Sequence, residues 1–194
     1  MNVLLIISTV LLSLSRMLLA RSSQSGVLVS NPENWVKSNT RTLKICDELL
    51  AISSFLFSCY MIDFIFRNWQ DNYFRLSVIV VSLIYCIFAW IGIVLAVGNM
   101  VYPVNGIKAL KNSELSTAIL QVYARLHLSD LALGILTISL ASFSQNLYIM
   151  VAGCVIGIMQ MMFTYFGKPL NYQAHVLTII VWSIWMVLFQ LMNQ

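Results

Sequence analysis

The residues most able to do chemistry in this chain are an arginine, a histidine and an aspartate in an otherwise apolar stretch. They are Arg125, His127 and Asp130, within the segment 121–130. Charged groups at membrane depth are costly, and they mark the places where membrane proteins bind ions, move protons or form internal ion pairs. Because Asp130 follows His127 by three residues, we expect the two to share one helix face and to hydrogen-bond. Arg125 matches that face poorly, so we expect it to reach toward the aqueous boundary or to meet an acid on another helix.

Three further ionisable residues are expected at a similar depth. Arg16 lies near the end of the first apolar segment, and Asp47 and Glu48 open the second. The sequence therefore predicts a buried polar network on the first, second and fourth segments, with His127 as its titratable member. Two interpretations stay open. The network is either an inert set of ion pairs that holds the helices together, or a working site that binds a ligand or conducts protons, since histidine titrates near neutrality.

Three other residues are secondary candidates for a site. Asp63 is followed at i+4 by Arg67, so we favour a local ion pair over an outer ligand site or gate. Trp182 and Trp185 share a face at i,i+3 and could line a pore, but aromatic core packing is the favoured interpretation.

Known catalytic and cofactor signatures are missing from the sequence. It has no spaced histidine set typical of a metal hydrolase, no G-x-S-x-G and no glycine-rich phosphate loop. The four cysteines form no C-x-x-C pair, so we expect them to be packing residues. We predict no catalytic residue, no metal and no cofactor. A membrane enzyme that uses His127 and Asp130 as base and acid is the least favoured hypothesis.

Composition predicts the elements that hold these residues. Of 194 residues, 60% are hydrophobic and 9% are charged, whereas about a quarter of the residues in soluble domains are charged. A membrane-spanning helix needs about 20 mostly apolar residues, and six segments qualify. They cover approximately 3–20, 46–66, 76–97, 120–143, 147–166 and 174–192. The expected fold is all-α, a single polytopic transmembrane helix bundle over residues 1–194, with segment 3–20 retained rather than cleaved as a signal peptide.

The basic residues predict an orientation, because inner connections of membrane proteins carry an excess of Lys and Arg. If the first connection, a polar loop over 21–45, faces the cytoplasm, the inner side holds seven basic residues and the outer side two. The inner set is Arg21, Lys37, Arg41, Lys44, Lys108, Lys111 and Lys168, and the outer set is Arg67 and Arg75. This bias predicts six crossings with both termini outside. No aromatic-interleaved basic patch is present, so nucleic acid is not an expected partner.

Small residues predict helix faces that touch. Gly153 and Gly157 form a G-x-x-x-G pair, and Gly92 and Ala96 form a second small-residue pair. Such spacing lets two helix backbones approach closely. We favour packing within one chain over dimerisation, and a homo-oligomer stays possible as an alternative.

The first polar loop carries a resemblance. The stretch from Gly26 to Arg41, GVLVSNPENWVKSNTR, followed by an apolar helix, resembles the cytoplasmic loop of SdpI-type immunity proteins. The matching residues would be Glu33, Asn34, Trp35 and Asn39. The likeness covers about sixteen residues, and an arginine usual after the glycine is replaced by Val27-Leu28. It implies a bacterial plasma-membrane protein that protects against a secreted peptide toxin or signals to a regulator, with this loop as the surface that binds the partner.

Three functional hypotheses remain from the sequence. A small-solute transporter or channel built around the buried ionisable network comes first. An immunity or signalling protein of the SdpI type, which binds a toxin peptide or a regulator, comes second, and the membrane enzyme comes third. The expected partners are the lipid bilayer and a small solute or peptide ligand, and the expected location is a bacterial plasma membrane.

Overall fold

A computed structural model of the chain describes residues 2–22, 31–69, 73–102, 112–166 and 172–192, and their secondary structure is helical, with no strand among them. The helices are α1 (Asn2–Ser22), α2 (Pro32–Arg67), α3 (Tyr73–Val101), α4 (Asn112–Ala141), α5 (Leu147–Phe166) and α6 (Tyr172–Met192). The all-α prediction is confirmed for these residues.

The helices have the length and composition of a membrane bundle. Five of those described, α1 to α4 and α6, are long and apolar enough to cross a bilayer, and the described apolar part of α5 is shorter, Leu147–Met162. Large apolar side chains face outward, including Phe55 at 69% and Phe88 at 71% exposure. A water-soluble monomer rarely exposes so much apolar surface. The chain is therefore an integral membrane protein by the character of its helices.

The bundle is a closed ring in which each helix packs on the next along the chain and α6 packs on α1. The hydrogen bonds fix the helix directions. Trp35 of α2 meets Ser22 of α1, and Cys46 further along α2 meets Ser15 further back on α1, so these helices are antiparallel. We call the end of the bundle where α1 finishes the Ser22 end, and the opposite end, where α2 finishes, the Arg67 end.

Helix α2 is longer than the sequence predicted. Residues 32–45, which we expected in the polar loop 21–45, are helical, so that part of the prediction was wrong. At 1.5 Å per residue, the 36 residues of α2 extend about 54 Å, well beyond the roughly 30 Å apolar core of a bilayer. Its first turns therefore continue past the membrane-spanning part at the Ser22 end.

A local capping signal explains the early start of α2. The side chain of Asn31 accepts a hydrogen bond from the backbone N–H of Asn34 at 3.1 Å, and Pro32 occupies the first turn together with Glu33. An Asn cap, a proline without an N–H to satisfy and an acid near the positive end of the helix dipole all favour initiation at this point. Likewise α4 begins at Asn112, eight residues before the predicted span, because an apolar window marks lipid contact and not the helix end.

Glycines set the close contacts among α4, α5 and α6. A Cβ added at Gly157 would lie 2.6 Å from the backbone oxygen of Gly134, and one added at Gly153 would lie 2.6 Å from the Cβ of Ala141. The Gly153 position also adjoins the ring of Trp185. The backbones of α4 and α5 therefore approach closely at Gly157, and Gly153 makes room for the side chains of Ala141 and Trp185. The predicted use of this G-x-x-x-G pair for packing within one chain is confirmed.

We expect Gly157→Ala to lower the free energy of unfolding by about 1–3 kcal/mol, the usual cost of overpacking, because α4 and α5 must separate to admit the methyl group. The measurement is equilibrium unfolding in detergent micelles. Gly98→Ala is the matched control, because its Cβ would meet only the Asp47 carboxylate, at 4.0 Å. The control should stay within about 1 kcal/mol of the parent. Equal stability of the Gly157 variant and the parent would contradict the close approach of α4 and α5.

Candidate functional site

The interior of the bundle contains a buried ion pair between α1 and α4. Arg16 is 1% exposed, and its Nη2 donates to Oδ1 of Asp130 at 2.6 Å. Arg16 faces inward because it continues the buried stripe of α1 that includes Leu5, Leu12 and Leu19. These leucines recur every seven residues, and Arg16 lies four residues after Leu12, which places it on the same helix face. Arg16 and Asp130, two members of the predicted network, are therefore paired with each other.

The imidazole in the cluster comes from α6 and not from α4. Nδ1 of His175 lies 3.7 Å from Oδ2 of Asp130, and His175 is 4% exposed. His127, which we expected beside Asp130, is exposed. The buried positions of α4 include Val122, Leu126, Ser129, Asp130, Leu133, Leu136 and Leu140. Apart from the adjacent residues Ser129 and Asp130, these positions follow steps of three and four residues, and His127 falls off that stripe.

An aromatic ring closes the site on the α6 side. The guanidinium carbon of Arg16 lies 5.5 Å from the ring centre of Trp182, a distance at which a cation is attracted to the ring face. Nε1 of Trp182 donates to Oγ1 of Thr137 at 2.9 Å, which fixes the ring. Trp182 follows His175 by seven residues, so both lie on one face of α6. That spacing is the signal in the sequence that could have identified His175.

The acids of α2 lie outside this cluster, which differs from the expected network. Asp47 is buried near Gly98, and Glu48 accepts a hydrogen bond from the hydroxyl of Tyr102 at 3.2 Å. Neither forms an ion pair with Arg16 within the described part of the chain. The cluster therefore joins α1, α4 and α6, and we name Arg16, Asp130, His175 and Trp182 the central cluster.

Arg125 has a partner that no pattern in the sequence indicated. Its Nη1 donates to the backbone carbonyl of Gly92 on α3. A Cβ at Gly92 would lie 2.6 Å from Cδ and Nε of Arg125, so the absent side chain makes room for the arginine. Arg125 therefore neither meets an acid among its described contacts nor joins the central cluster, and it connects α4 to α3 instead.

The secondary candidates have structural partners. Nε of Arg67 lies 2.8 Å from Oδ2 of Asp63, so the predicted local ion pair is confirmed. Trp185 donates from Nε1 to the backbone oxygen of Ile149 at 2.9 Å and stacks on Phe189 with ring centres 5.2 Å apart. Its predicted role in packing is confirmed. Trp182, by contrast, is part of the central cluster.

The residues that resemble the SdpI-type loop hold the start of α2 in place. Trp35 is 1% exposed and donates from Nε1 to the backbone oxygen of Ser22 at 2.9 Å. Asn39 donates to the oxygen of Trp35 at 3.0 Å, and Glu33 pairs with Lys37 at 2.7 Å. Trp35 is therefore not accessible to a partner while α1 and α2 stay in contact. Glu33 and Asn34 remain exposed.

The central cluster contains buried N–H donors that have no acceptor among the described residues. Arg16 uses Nη2 for Asp130, while its Nε and Nη1 have no hydrogen-bond partner among the described residues. Nε1 of Trp90 is likewise a buried donor without a partner in the described part of the chain. Nε2 of His175 also has no partner there, but it is an acceptor while the neutral imidazole keeps its proton on Nδ1 toward Asp130. Phe57 joins Trp90 to the cluster, because its ring centre lies 5.8 Å from that of Trp90 and 6.2 Å from that of Trp182. Buried donors without acceptors are costly, so the site favours a group that supplies acceptor oxygens.

Comparison with known protein families, curated proteins and solved structures finds no match to this chain. The resemblance to SdpI-type proteins stays a prediction.

We expect Arg16→Gln and Asp130→Asn each to lower the free energy of unfolding by about 3–5 kcal/mol, because each single change leaves an unpaired buried charge. The double variant should be more stable than either single variant, since neither charge remains. Equilibrium unfolding in mixed micelles measures all three. Asp63→Asn, which removes an exposed acid from its pair with Arg67, should cost less than about 1 kcal/mol. Additive losses in the double variant would show that the two charges do not interact.

Proposed function

We propose that this chain is a transporter that moves a small solute across the membrane through the central cluster. The observation that carries the proposal is the Arg16–Asp130 ion pair, 1% and 7% exposed at the side chains, with His175 beside the second carboxylate oxygen. A buried ion pair is a poor way to stabilise a bundle, since apolar residues of similar volume serve as well or better. Charges kept inside membrane helices mark ligand or proton pathways.

The cluster also offers alternative pairings. Asp130 can hold Arg16 through one oxygen and His175 through the other, and the three residues belong to three helices. Protonation of Asp130 or His175 changes the attraction among α1, α4 and α6. A ligand that binds the free N–H groups of Arg16 changes it as well. Such a change in charge pairing biases a two-state packing arrangement. Alternating access around a fixed binding site needs a packing arrangement that can switch in this way.

Six crossings with both termini outside are part of the proposal, and the location is a bacterial plasma membrane. Exposed basic residues of the described chain at the Ser22 end include Arg21, Lys37 and Arg41. Basic residues gather on the cytoplasmic side of membrane proteins. The Ser22 end would therefore be cytoplasmic, and the Arg67 end would be external.

Labelling of introduced cysteines tests this orientation. In a variant whose natural cysteines are replaced, Asn68→Cys at the Arg67 end should react with a membrane-impermeant maleimide in intact cells. Ser38→Cys, exposed on the extension of α2, should react only after the cells are opened. The reverse pattern would invert the orientation, and labelling of both sites in intact cells would contradict an odd number of crossings between the two positions.

Solute uptake by reconstituted vesicles tests the transport function. We expect the parent protein to accelerate uptake of at least one solute from a panel of labelled small anions, neutral molecules and cations. The double variant Arg16→Gln with Asp130→Asn should fold and show only the uptake of protein-free vesicles, because the charges that bind and release the solute are gone. Asp63→Asn is the matched control, because Asp63 pairs with Arg67 and is not part of the central cluster. This variant should transport normally. Undiminished uptake by the folded double variant would exclude the central cluster from transport.

A further inference from the structure

We infer that the solute is a small monocarboxylate that binds the central cluster together with one proton. This inference rests on the proposed transport function, and it adds the chemical class of the solute and its coupling to protons. Three observations support it: the unpaired N–H groups of Arg16, the net charge of the central cluster and the Trp182 ring that covers the guanidinium.

The unpaired polar groups call for acceptor oxygens. Nε and Nη1 of Arg16 and Nε1 of Trp90 are donors only, and each is buried without a partner among the described residues. The acceptors in the central cluster are the two oxygens of Asp130, which already face Arg16 and His175, and Nε2 of neutral His175, which becomes a further donor once the imidazole is protonated. A neutral or cationic solute would bring further donors. A carboxylate brings two oxygens and no donor, and a guanidinium binds it in the plane of its N–H groups.

The surroundings of Arg16 suit a small solute. The ring of Trp182 covers the guanidinium at 5.5 Å and is fixed through its hydrogen bond to Thr137. Trp182 also contacts Phe57, which in turn contacts Trp90, so aromatic side chains extend from the ring that covers the guanidinium. Aromatic side chains suit a short apolar tail next to a carboxylate, whereas a long polar solute would leave its own groups without partners.

Charge balance requires that one proton binds together with the solute. With Arg16 positive, Asp130 negative and His175 neutral, the central cluster carries no net charge. A monoanion alone would leave one uncompensated negative charge inside the bundle, which is costly. Protonation of His175 supplies the missing positive charge, and the proton leaves with the anion on the opposite side. The charged groups that act on His175 within the described chain are Asp130 on α4 and Arg16 on α1, and the neighbouring α5 carries no ionisable acid or base other than cysteine and tyrosine.

The test uses vesicles that contain the full chain and three labelled probes of similar size: pyruvate, glycerol and ethanolamine. We expect pyruvate alone to enter. An inward proton gradient of one pH unit should drive about tenfold accumulation, since electroneutral cotransport of one proton with one anion converts about 1.4 kcal/mol into that ratio. A membrane potential without a pH gradient should drive none. His175→Gln should abolish the accumulation, whereas His127→Gln, an exposed histidine of the same chain, should leave it unchanged.

The outcomes separate this inference from the proposed function. Uptake of glycerol or ethanolamine but not of pyruvate would overturn the carboxylate assignment while transport stands. Pyruvate uptake that follows voltage and ignores the pH gradient, or accumulation that survives in folded His175→Gln, would overturn the coupling to a proton. Uptake of none of the three probes by the folded parent would overturn this assignment, and failure of the wider panel as well would overturn transport itself.

Discussion

The cost of keeping a guanidinium inside an apolar bundle is the constraint on which the rest of the structure depends. Arg16 lies where neither water nor lipid can satisfy it, so another helix must supply a carboxylate. Asp130 does so from α4, which is not consecutive with α1 in the ring. The ion pair therefore crosses the interior, and it requires α6 to present a polar side chain, His175, and a fixed aromatic face, Trp182, to the same place. The close packing of α4, α5 and α6 on glycines holds these helices at the required separation.

Much of the architecture could be predicted from apolar windows, because solvation in lipid leaves a strong compositional signal over about 20 residues. The six helices and the packing use of Gly153 and Gly157 follow from that signal and from small-residue spacing. The start of α2 was missed because hydropathy alone assigns the polar residues 32–45 to a loop. The Asn31-Pro32-Glu33 cap contained the missing information, since capping is local chemistry and does not depend on hydrophobicity.

The composition of the site was harder to predict, because it depends on helix rotation and on contacts distant in sequence. Asp130 and its partner Arg16 were expected from their depth alone. His127 was expected because it is close in sequence, but a difference of three residues shifts a side chain by about 60° around a helix, enough to move it from the interior to the surface. His175 reaches Asp130 only because side chains of α6 meet those of α4 across the interior of the ring. The acceptor of Arg125 is a backbone carbonyl beside Gly92, and backbone acceptors leave no mark in the sequence.

The contacts around α1 determine where the bundle can open. Trp35 and Cys46 of α2 each donate to a backbone oxygen of α1, at Ser22 and at Ser15, on both sides of Arg16. The α1–α2 hairpin is therefore held as one unit along the stretch that carries the arginine. Asp130 belongs to α4, and His175 and Trp182 belong to α6. These two helices are joined by the hydrogen bond that Trp182 donates to Thr137. The central cluster thus lies at the boundary between two units, each with its own internal hydrogen bonds. A path past Arg16 that separates these units breaks the ion pair together with hydrogen bonds that join α1 to α4 at Tyr123 and α1 to α6 at Ser13 and Ser183. A ligand at the central cluster can replace the ion pair but not those bonds, so it offsets only part of the cost of opening there.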